Sequence, residues 1–279
     1  MCGTRVNPGA LRCRPAGPRG VSGDNGSMTQ SPTAEAAEIK VSFAGTEAGA
    51  AFDAFGLDRD EGRRRSVHFW DRPARTSGAE VSLPLLERGV ILRLRRDREG
   101  HGSKEEADVT VKLRPCPGLA PRWLEEREGE DWEYRIEEDR AAPAFKPVVA
   151  ASLQAGVGFA ASLDPGSPGR LLVEEQLELL GAAGPVDGGL DGLTALGPVH
   201  AVKWKQEWEE LPRAVAVEEW TTEGGLRFVE VSVRADVEDA ADAQHLLDGA
   251  LRARGLALPP TGDTKTRIVM TALARALLG

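Results

Sequence analysis

The sequence has no long apolar segment and little cysteine. No run approaches the roughly 20 apolar residues that a bilayer-spanning helix needs, which argues against an integral membrane protein. The three cysteines, Cys2, Cys13 and Cys116, form no CxxC pair and no Cys/His cluster, so neither a disulfide framework nor a structural zinc site is predicted. We therefore expect a reduced, cytoplasmic protein with no membrane partner.

Two other patterns are absent. The histidines show no metal-ligand spacing and no serine or cysteine partner, so a nucleophilic triad is not predicted; they are His68, His101, His200 and His245. The order of the elements shows no βαβ alternation, and no internal repeat is visible. A doubly wound α/β fold and a repeat architecture are therefore not expected.

The chain is long enough to bury a sizeable core, with 279 residues of which 41% are hydrophobic and 28% charged. Its 44 acidic and 35 basic side chains give a net charge of −9, which argues against polyanion binding by the whole surface. A local basic site stays possible. Residues 1–33 are rich in Arg, Gly, Pro and Ser and have no apolar core of a secretory signal, so we predict a disordered tail followed by one domain over residues 34–279.

Apolar and polar residues alternate from residue 37 onward, which is typical of half-buried strands. Strands are predicted over residues 38–43, 67–70, 90–96, 109–114, 132–139, 145–153, 199–208, 214–220 and 226–234. Helices are predicted over 48–55, 170–180, 240–254 and 266–278. These elements predict an α+β fold, in which an antiparallel sheet carries peripheral helices.

The polar faces of these strands are rich in lysine and arginine, whereas the polar face of most antiparallel sheets is mixed and faces water. Every second residue of the strands places one basic set on a shared face: Lys40, Arg93, Arg95, Lys112, Arg114, Arg135, Lys203, Lys205 and Arg234. A smaller acidic set has the same parity: Glu38, Glu137, Asp139, Glu218 and Glu230. Charge is therefore segregated within an acidic protein.

Two arrangements explain this segregation. The charged residues lie on a solvated outer face with ion pairs across strands, or they line the concave face of a closed or strongly curved sheet. In the second arrangement the crowded cations need an anion between them, and a chain of phosphates suits the arginine forks and lysine ammonium groups. The interleaved carboxylates would then hold Mg²⁺ or Mn²⁺.

Several short segments, in order, resemble the CYTH or triphosphate tunnel metalloenzyme superfamily. Residues 38–40 match the end of its Glu-x-Glu-x-Lys strand, although Ala36 replaces the first glutamate. Residues 67–73 are similar to its aromatic-Phe-Asp-Thr-Pro segment, and residues 89–95 match Gly-x-x-Leu-Arg-x-Arg. Residues 109–112 match its Thr-x-Lys strand, residues 228–232 resemble a later acidic strand, and Lys265 matches a terminal lysine.

This resemblance implies an antiparallel eight-stranded β-barrel that forms a triphosphate tunnel, with helices outside. The resemblance implies a set of phosphate-binding residues, to which the strand parity adds Arg114 and Arg234. The full set is Lys40, Arg93, Arg95, Lys112, Arg114, Lys203, Lys205, Arg234 and Lys265. Glu38, Glu218 and Glu230 are the implied ligands of Mg²⁺ or Mn²⁺. Glu137 and Asp139 are the catalytic candidates, which would orient or deprotonate a water molecule.

The implied activity is metal-dependent hydrolysis of a small triphosphate, either inorganic, nucleoside or thiamine triphosphate. The expected partner is such a triphosphate or a polyphosphate rather than nucleic acid, because the chain is acidic and lacks an RNP-type aromatic pattern. Ala36 leaves two alternatives open: a catalytically weak or inactive polyphosphate- or nucleotide-binding protein, and a biosynthetic enzyme on the same tunnel. A nucleotide cyclase activity is less favoured, because no feature of the sequence indicates recognition of an adenine base.

Overall fold

The computed structural model describes residues 1, 29–76, 80–97, 105–259 and 264–279. Most of the predicted tail over residues 1–33 lies outside these residues, so the tail and the domain boundary after it stay predictions. None of the helices in the described ranges is long and apolar enough to span a bilayer.

Twelve strands are found in the described ranges: β1 (Ala36–Ala44), β2 (Arg63–Asp71), β3 (Ala74–Arg75), β4 (Val81–Ser82), β5 (Val90–Asp97), β6 (Glu106–Leu113), β7 (Arg127–Glu128), β8 (Trp132–Ala141), β9 (Val148–Val157), β10 (Thr194–Gln206), β11 (Val215–Thr222) and β12 (Arg227–Asp236). The α-helices of the same ranges are α1 (Thr46–Ala54), α2 (Pro84–Glu87), α3 (Phe159–Ser162), α4 (Glu174–Ala182), α5 (Ala240–Ala253) and α6 (Lys265–Leu278). Short 3₁₀ turns cover Pro121–Trp123, Pro168–Arg170, Leu190–Gly192 and Val237–Asp239.

Nine of these strands close into a barrel in the order β1-β12-β11-β10-β2-β5-β6-β9-β8, and β8 then pairs with β1. The β1–β8 pair is parallel, and the other neighbours are antiparallel. The expected antiparallel barrel of eight strands is therefore wrong in number and in orientation. Strand direction alternates around an antiparallel ring, so nine strands can close only if one neighbouring pair is parallel.

The outer face of the barrel is apolar and is covered by helices. In β1, Ile39, Val41 and Phe43 are at most 1% exposed and belong to a core formed with α1 and α5. In a second core, α4 packs against β6 and β9 and buries Leu179 and Leu180. Burying a side chain of this size contributes about 1.5–3 kcal/mol, so the helices hold the barrel from outside.

Because side chains alternate along a strand, the charged residues of the same strands face the interior. One end of this interior is apolar and is covered by α6. Val67, Phe69, Trp220 and Phe228 lie there against the apolar side of α6, including Met270. Lys265 begins this helix, so its side chain enters the barrel at the border between the apolar end and the charged remainder.

Candidate functional site

The barrel encloses a cavity of about 920 Å³. Among the described residues, eleven lysines and arginines and seven aspartates and glutamates line it, which gives a local charge of +4 (11 − 7). The whole chain carries −9, so the charge of the interior is opposite in sign to that of the protein. The segregation that the strand pattern predicted therefore places a basic interior within an acidic protein.

All but one of the predicted site residues line this cavity. They are Glu38, Lys40, Arg93, Arg95, Lys112, Arg114, Glu137, Asp139, Lys203, Glu218, Glu230, Arg234 and Lys265. The exception is Lys205, which shares the face of Lys203 on β10 but lies outside the lining residues. Pairing between strands brings the others together, as where Glu38 lies opposite Arg234 and Asp139.

Asp139 lies at the centre of a three-cation cluster at the β1–β8 seam. Its carboxylate is 3.0 Å from Lys40 Nζ, 2.7 Å from Lys112 Nζ and 2.8 Å from Arg114 Nε. Burial alone would raise its pKa, but these cations, Lys40 first, hold it far below the usual range. Asp139 is therefore ionised at neutral pH and positions three cations in the barrel wall.

Glu38 and Lys40 form a second close pair on β1, with 2.7 Å between the carboxylate and the ammonium group. Burial opposes the charge of each. The pKa of Glu38 is nevertheless lowered by Lys40 and Lys112, and that of Lys40 is raised by Asp139 and Glu38. Both groups are thus charged at neutral pH and neutralise one another.

Glu137 has a different environment on the same strand as Asp139. It lines the cavity and pairs with Arg234, whose side chain is 53% exposed. Burial raises the pKa of Glu137 above its ordinary value. Of the two predicted catalytic carboxylates, Glu137 is therefore the one whose proton affinity suits proton transfer.

Arg65 belongs to the site but was missed by the strand pattern, because the predicted strand begins only at residue 67 and β2 begins at Arg63. Its side chain is 8% exposed and approaches Asp97 at 2.9 Å and Glu218 at 3.4 Å. Extending the predicted strand by two residues toward the N-terminus would have placed Arg65 on the same face as Val67. Arg95 similarly pairs with Asp108, at 3.1 Å, an acid that the pattern did not single out.

Arg93 is a half-buried cation with no carboxylate partner among the described residues. Its guanidinium group donates a hydrogen bond of 3.3 Å to Thr110 Oγ1, while its buried Nε has no partner in those ranges. Burial, followed by repulsion from Arg95, lowers its pKa to about 10, at which it is still protonated at neutral pH. Lys203 also forms no ion pair with a described residue, and burial and Arg65 lower its pKa.

No family model and no curated protein sequence matches the chain. Solved structures do. A candidate adenylate cyclase from Bacillus halodurans has a TM-score of 0.50 and 11% sequence identity, with 84% of this chain and 98% of that chain covered. A candidate adenylyl cyclase from Hippeastrum with a dominant triphosphatase activity has a TM-score of 0.50 and 16% identity, with 84% and 95% covered.

The chain has the fold of a CYTH-like triphosphate tunnel domain. At these identities the likeness concerns the fold alone. The position of the charged cavity follows from this chain's own strands, because the cavity is the space that the nine of them enclose.

The acidic residues of the tunnel do not fit a divalent metal in their present arrangement. The described residues contain no group of three or more His, Cys, Asp or Glu side chains placed to hold one. Glu38 is paired with Lys40, and Glu218 and Glu230 are both paired with Lys265. The assignment of Mg²⁺ or Mn²⁺ to Glu38, Glu218 and Glu230 thus stays a sequence prediction, and the positive charge in the tunnel is provided by lysine and arginine.

Proposed function

We propose that the protein binds a small molecule containing a triphosphate in its basic tunnel and hydrolyses the terminal phosphoanhydride bond. The observation that carries this proposal is Arg93, a half-buried guanidinium group that lacks a carboxylate partner in the described ranges, has a buried and unpartnered Nε, and faces a cavity with a charge of +4 (11 − 7). A buried unpaired charge is costly, and a phosphate oxygen would supply the missing partner. The assay described below tests whether hydrolysis requires Mg²⁺ or Mn²⁺.

The cavity is large enough for a triphosphate together with the group attached to it, since its volume is about 920 Å³. Of the three cavity cations without a carboxylate partner in the described ranges, Arg93 and Lys203 would bind the phosphate chain. Arg95 and Lys112 lie next to them in the wall and would bind further oxygens by exchanging a carboxylate partner for phosphate. Held in this way, the cations would stabilise the charge that spreads over the phosphoryl oxygens in the transition state.

In the proposed reaction a water oxygen bonds to the terminal phosphorus, and the bridging P–O bond breaks with its electron pair leaving on the diphosphate. Glu137 would accept the proton of the water, because its raised pKa makes it the stronger base of the two candidates. Asp139 would not take part in proton transfer. Its role is to position Lys40, Lys112 and Arg114.

The proposal is tested by phosphate release from inorganic triphosphate, ATP and thiamine triphosphate, each with Mg²⁺, with Mn²⁺ and with EDTA. We expect phosphate release from at least one substrate. Comparing the reactions with Mg²⁺, Mn²⁺ and EDTA shows whether hydrolysis requires a divalent metal and which one. Arg93→Met should weaken triphosphate binding about 10- to 100-fold, since a hydrogen bond to a charged group is worth about 1.5–3 kcal/mol. The matched control is Arg64→Met, because Arg64 is an exposed arginine of β2 paired with Asp60.

Binding is measured as the rise in melting temperature with added inorganic triphosphate, since a ligand of the native state stabilises it. The basic-tunnel proposal fails if Arg93→Met and Arg64→Met respond to triphosphate equally. The hydrolase proposal fails if no substrate is cleaved in any metal arm.

A triphosphate-binding protein without turnover is the second candidate. The observation that favours it is the pairing of all three predicted metal ligands, Glu38, Glu218 and Glu230, with lysines. Stabilisation by triphosphate that depends on Arg93, combined with no phosphate release, would establish this function in place of hydrolysis.

A further inference from the structure

Glu218 and Glu230 are directly opposite one another on β11 and β12, and both face the tunnel. Two like charges at this position in an antiparallel pair repel each other. Burial alone would raise the pKa of Glu218, but Lys265 and then Arg65 lower it to about 2. The two facing carboxylate side chains therefore need a cation between them.

Lys265 is that cation. Its Nζ is 3.2 Å from Glu218 Oε2 and 2.9 Å from Glu230 Oε1, and it lies 3.9 Å from the centre of the Trp220 ring. The side chain is only 6% exposed. Two carboxylates and an aromatic face thus surround one ammonium group, which is a complete environment for a single positive charge.

The start of α6 fixes this ammonium group in place. Lys265 is the first residue of the helix, and the Thr264 side chain caps it by accepting the N–H of Arg267 at 3.4 Å. The apolar residues of the same helix, including Val269 and Met270, are buried against the end of the barrel. The lysine is therefore delivered by a packed helix and not by a loop.

The remaining oxygens of the carboxylate pair also have partners. Glu230 Oε2 accepts a hydrogen bond of 2.5 Å from Ser42 Oγ, and Glu218 Oε1 accepts one of 3.4 Å from Arg65. A Mg²⁺ or Mn²⁺ ion would need these oxygens at roughly 2.0–2.2 Å and would occupy the position of the ammonium group. The two cations therefore exclude one another.

We propose that Lys265 is the resident cation of the Glu218–Glu230 pair, in the place of a divalent metal, and that removing its ammonium group turns the pair into a divalent-metal site. This proposal deepens the proposed function by naming what neutralises these carboxylates, but it holds whether or not a triphosphate is cleaved.

The experiment is a titration of the full-length protein with Mn²⁺, in which free ion is measured by electron paramagnetic resonance without any phosphate compound. We expect Lys265→Met, which keeps an apolar stem against Trp220, to bind one more Mn²⁺ per chain than the wild type. Adding Glu230→Gln to that variant should remove the gained ion. Lys146→Met is the control, because Lys146 is an exposed lysine at the cavity with no ion pair among the described residues.

Two results overturn the proposal. One is Mn²⁺ binding by the wild type that Glu230→Gln abolishes, because the pair would then hold a metal despite Lys265. The other is a folded Lys265→Met protein that gains no ion. If Lys265→Met does not fold, the comparison of wild type with Glu230→Gln still decides, and equal Mn²⁺ binding by the two supports the proposal. Neither result depends on phosphate release, so the hydrolase proposal succeeds or fails separately.

Discussion

Asp139 offers the most direct test of how the tunnel is held together. Its side chain is 4% exposed and accepts from cations on two other strands, Lys40 on β1 and Lys112 on β6, as well as from Arg114 just after β6. Asp139→Asn keeps the shape of the side chain but removes its charge. It leaves three part-buried cations, at most 21% exposed, without this shared partner.

Removing one partner of a buried ion pair typically costs about 3–5 kcal/mol, because the remaining charge is left uncompensated. Asp139 has three such partners, and only Lys40 has a second carboxylate, Glu38, within 4.0 Å among the described residues. We therefore expect Asp139→Asn to lower the free energy of unfolding by about 3–5 kcal/mol at pH 7, a large part of the 5–15 kcal/mol typical of a domain. Urea unfolding, followed by circular dichroism, measures this loss.

The pH dependence provides an independent check. The pKa of Asp139 is lowered by folding, so its contribution to stability is present above the pKa of the unfolded chain, near 4, and is lost as the pH falls toward the folded value. The difference between wild type and Asp139→Asn should therefore shrink below about pH 4. The control is Asp60→Asn, whose exposed pair with Arg64 is worth about 0–1 kcal/mol. A loss no larger than that of the control, or one that is unchanged at low pH, would refute the reasoning.

Two further predictions concern proton transfer and packing. Glu137→Gln should reduce phosphate release by about 10²- to 10⁴-fold and leave stabilisation by triphosphate unchanged. Because burial raises the pKa of Glu137, the acid limb of the wild-type pH–rate profile should lie above the ordinary pKa of a glutamate. The control is Glu133→Gln, which changes another glutamate at the cavity, and equal rates for the two variants would contradict the assignment. Gln176→Leu should lower the free energy of unfolding in urea by about 1–3 kcal/mol, because the buried side chain of Gln176 donates to the carbonyls of Val109 and Leu153 at 2.8 and 3.1 Å. A loss below about 0.5 kcal/mol would contradict this prediction.

Strand alternation predicted where the barrel strands lie, and each of the nine has a counterpart among the predicted runs. The count of eight came from the resemblance and was wrong. Alternation reports which face of a strand is apolar, but the direction of a neighbouring strand depends on pairing between residues far apart in the chain. The parallel contact of β1 with β8, where Glu38 lies opposite Asp139, has no local signal.

Parity also predicted which charged residues share the interior, with Arg65 missed and Lys205 placed beyond the cavity. It could not predict which cations are already neutralised. Asp139, for example, meets Lys40 and Lys112 only because closing the barrel brings β8, β1 and β6 to one side of the cavity. Alternation thus predicts the composition of the interior, whereas closure determines its ion pairs.

The ion pairs change what a basic interior implies for ligand choice. Most of the cations that line the tunnel already have a carboxylate partner, and among the described residues Arg93, Lys146 and Lys203 do not. An anion with a single charge gains only these partners and cannot compete with the fixed carboxylates for the others. A triphosphate carries several charges on one short chain, so it can satisfy Arg93 and also exchange with Asp108 or Asp139 at neighbouring cations. Under the proposed function, the internal ion pairs therefore favour anions that carry several charges over anions that carry one. Weakening one of these ion pairs should broaden the range of anions that bind.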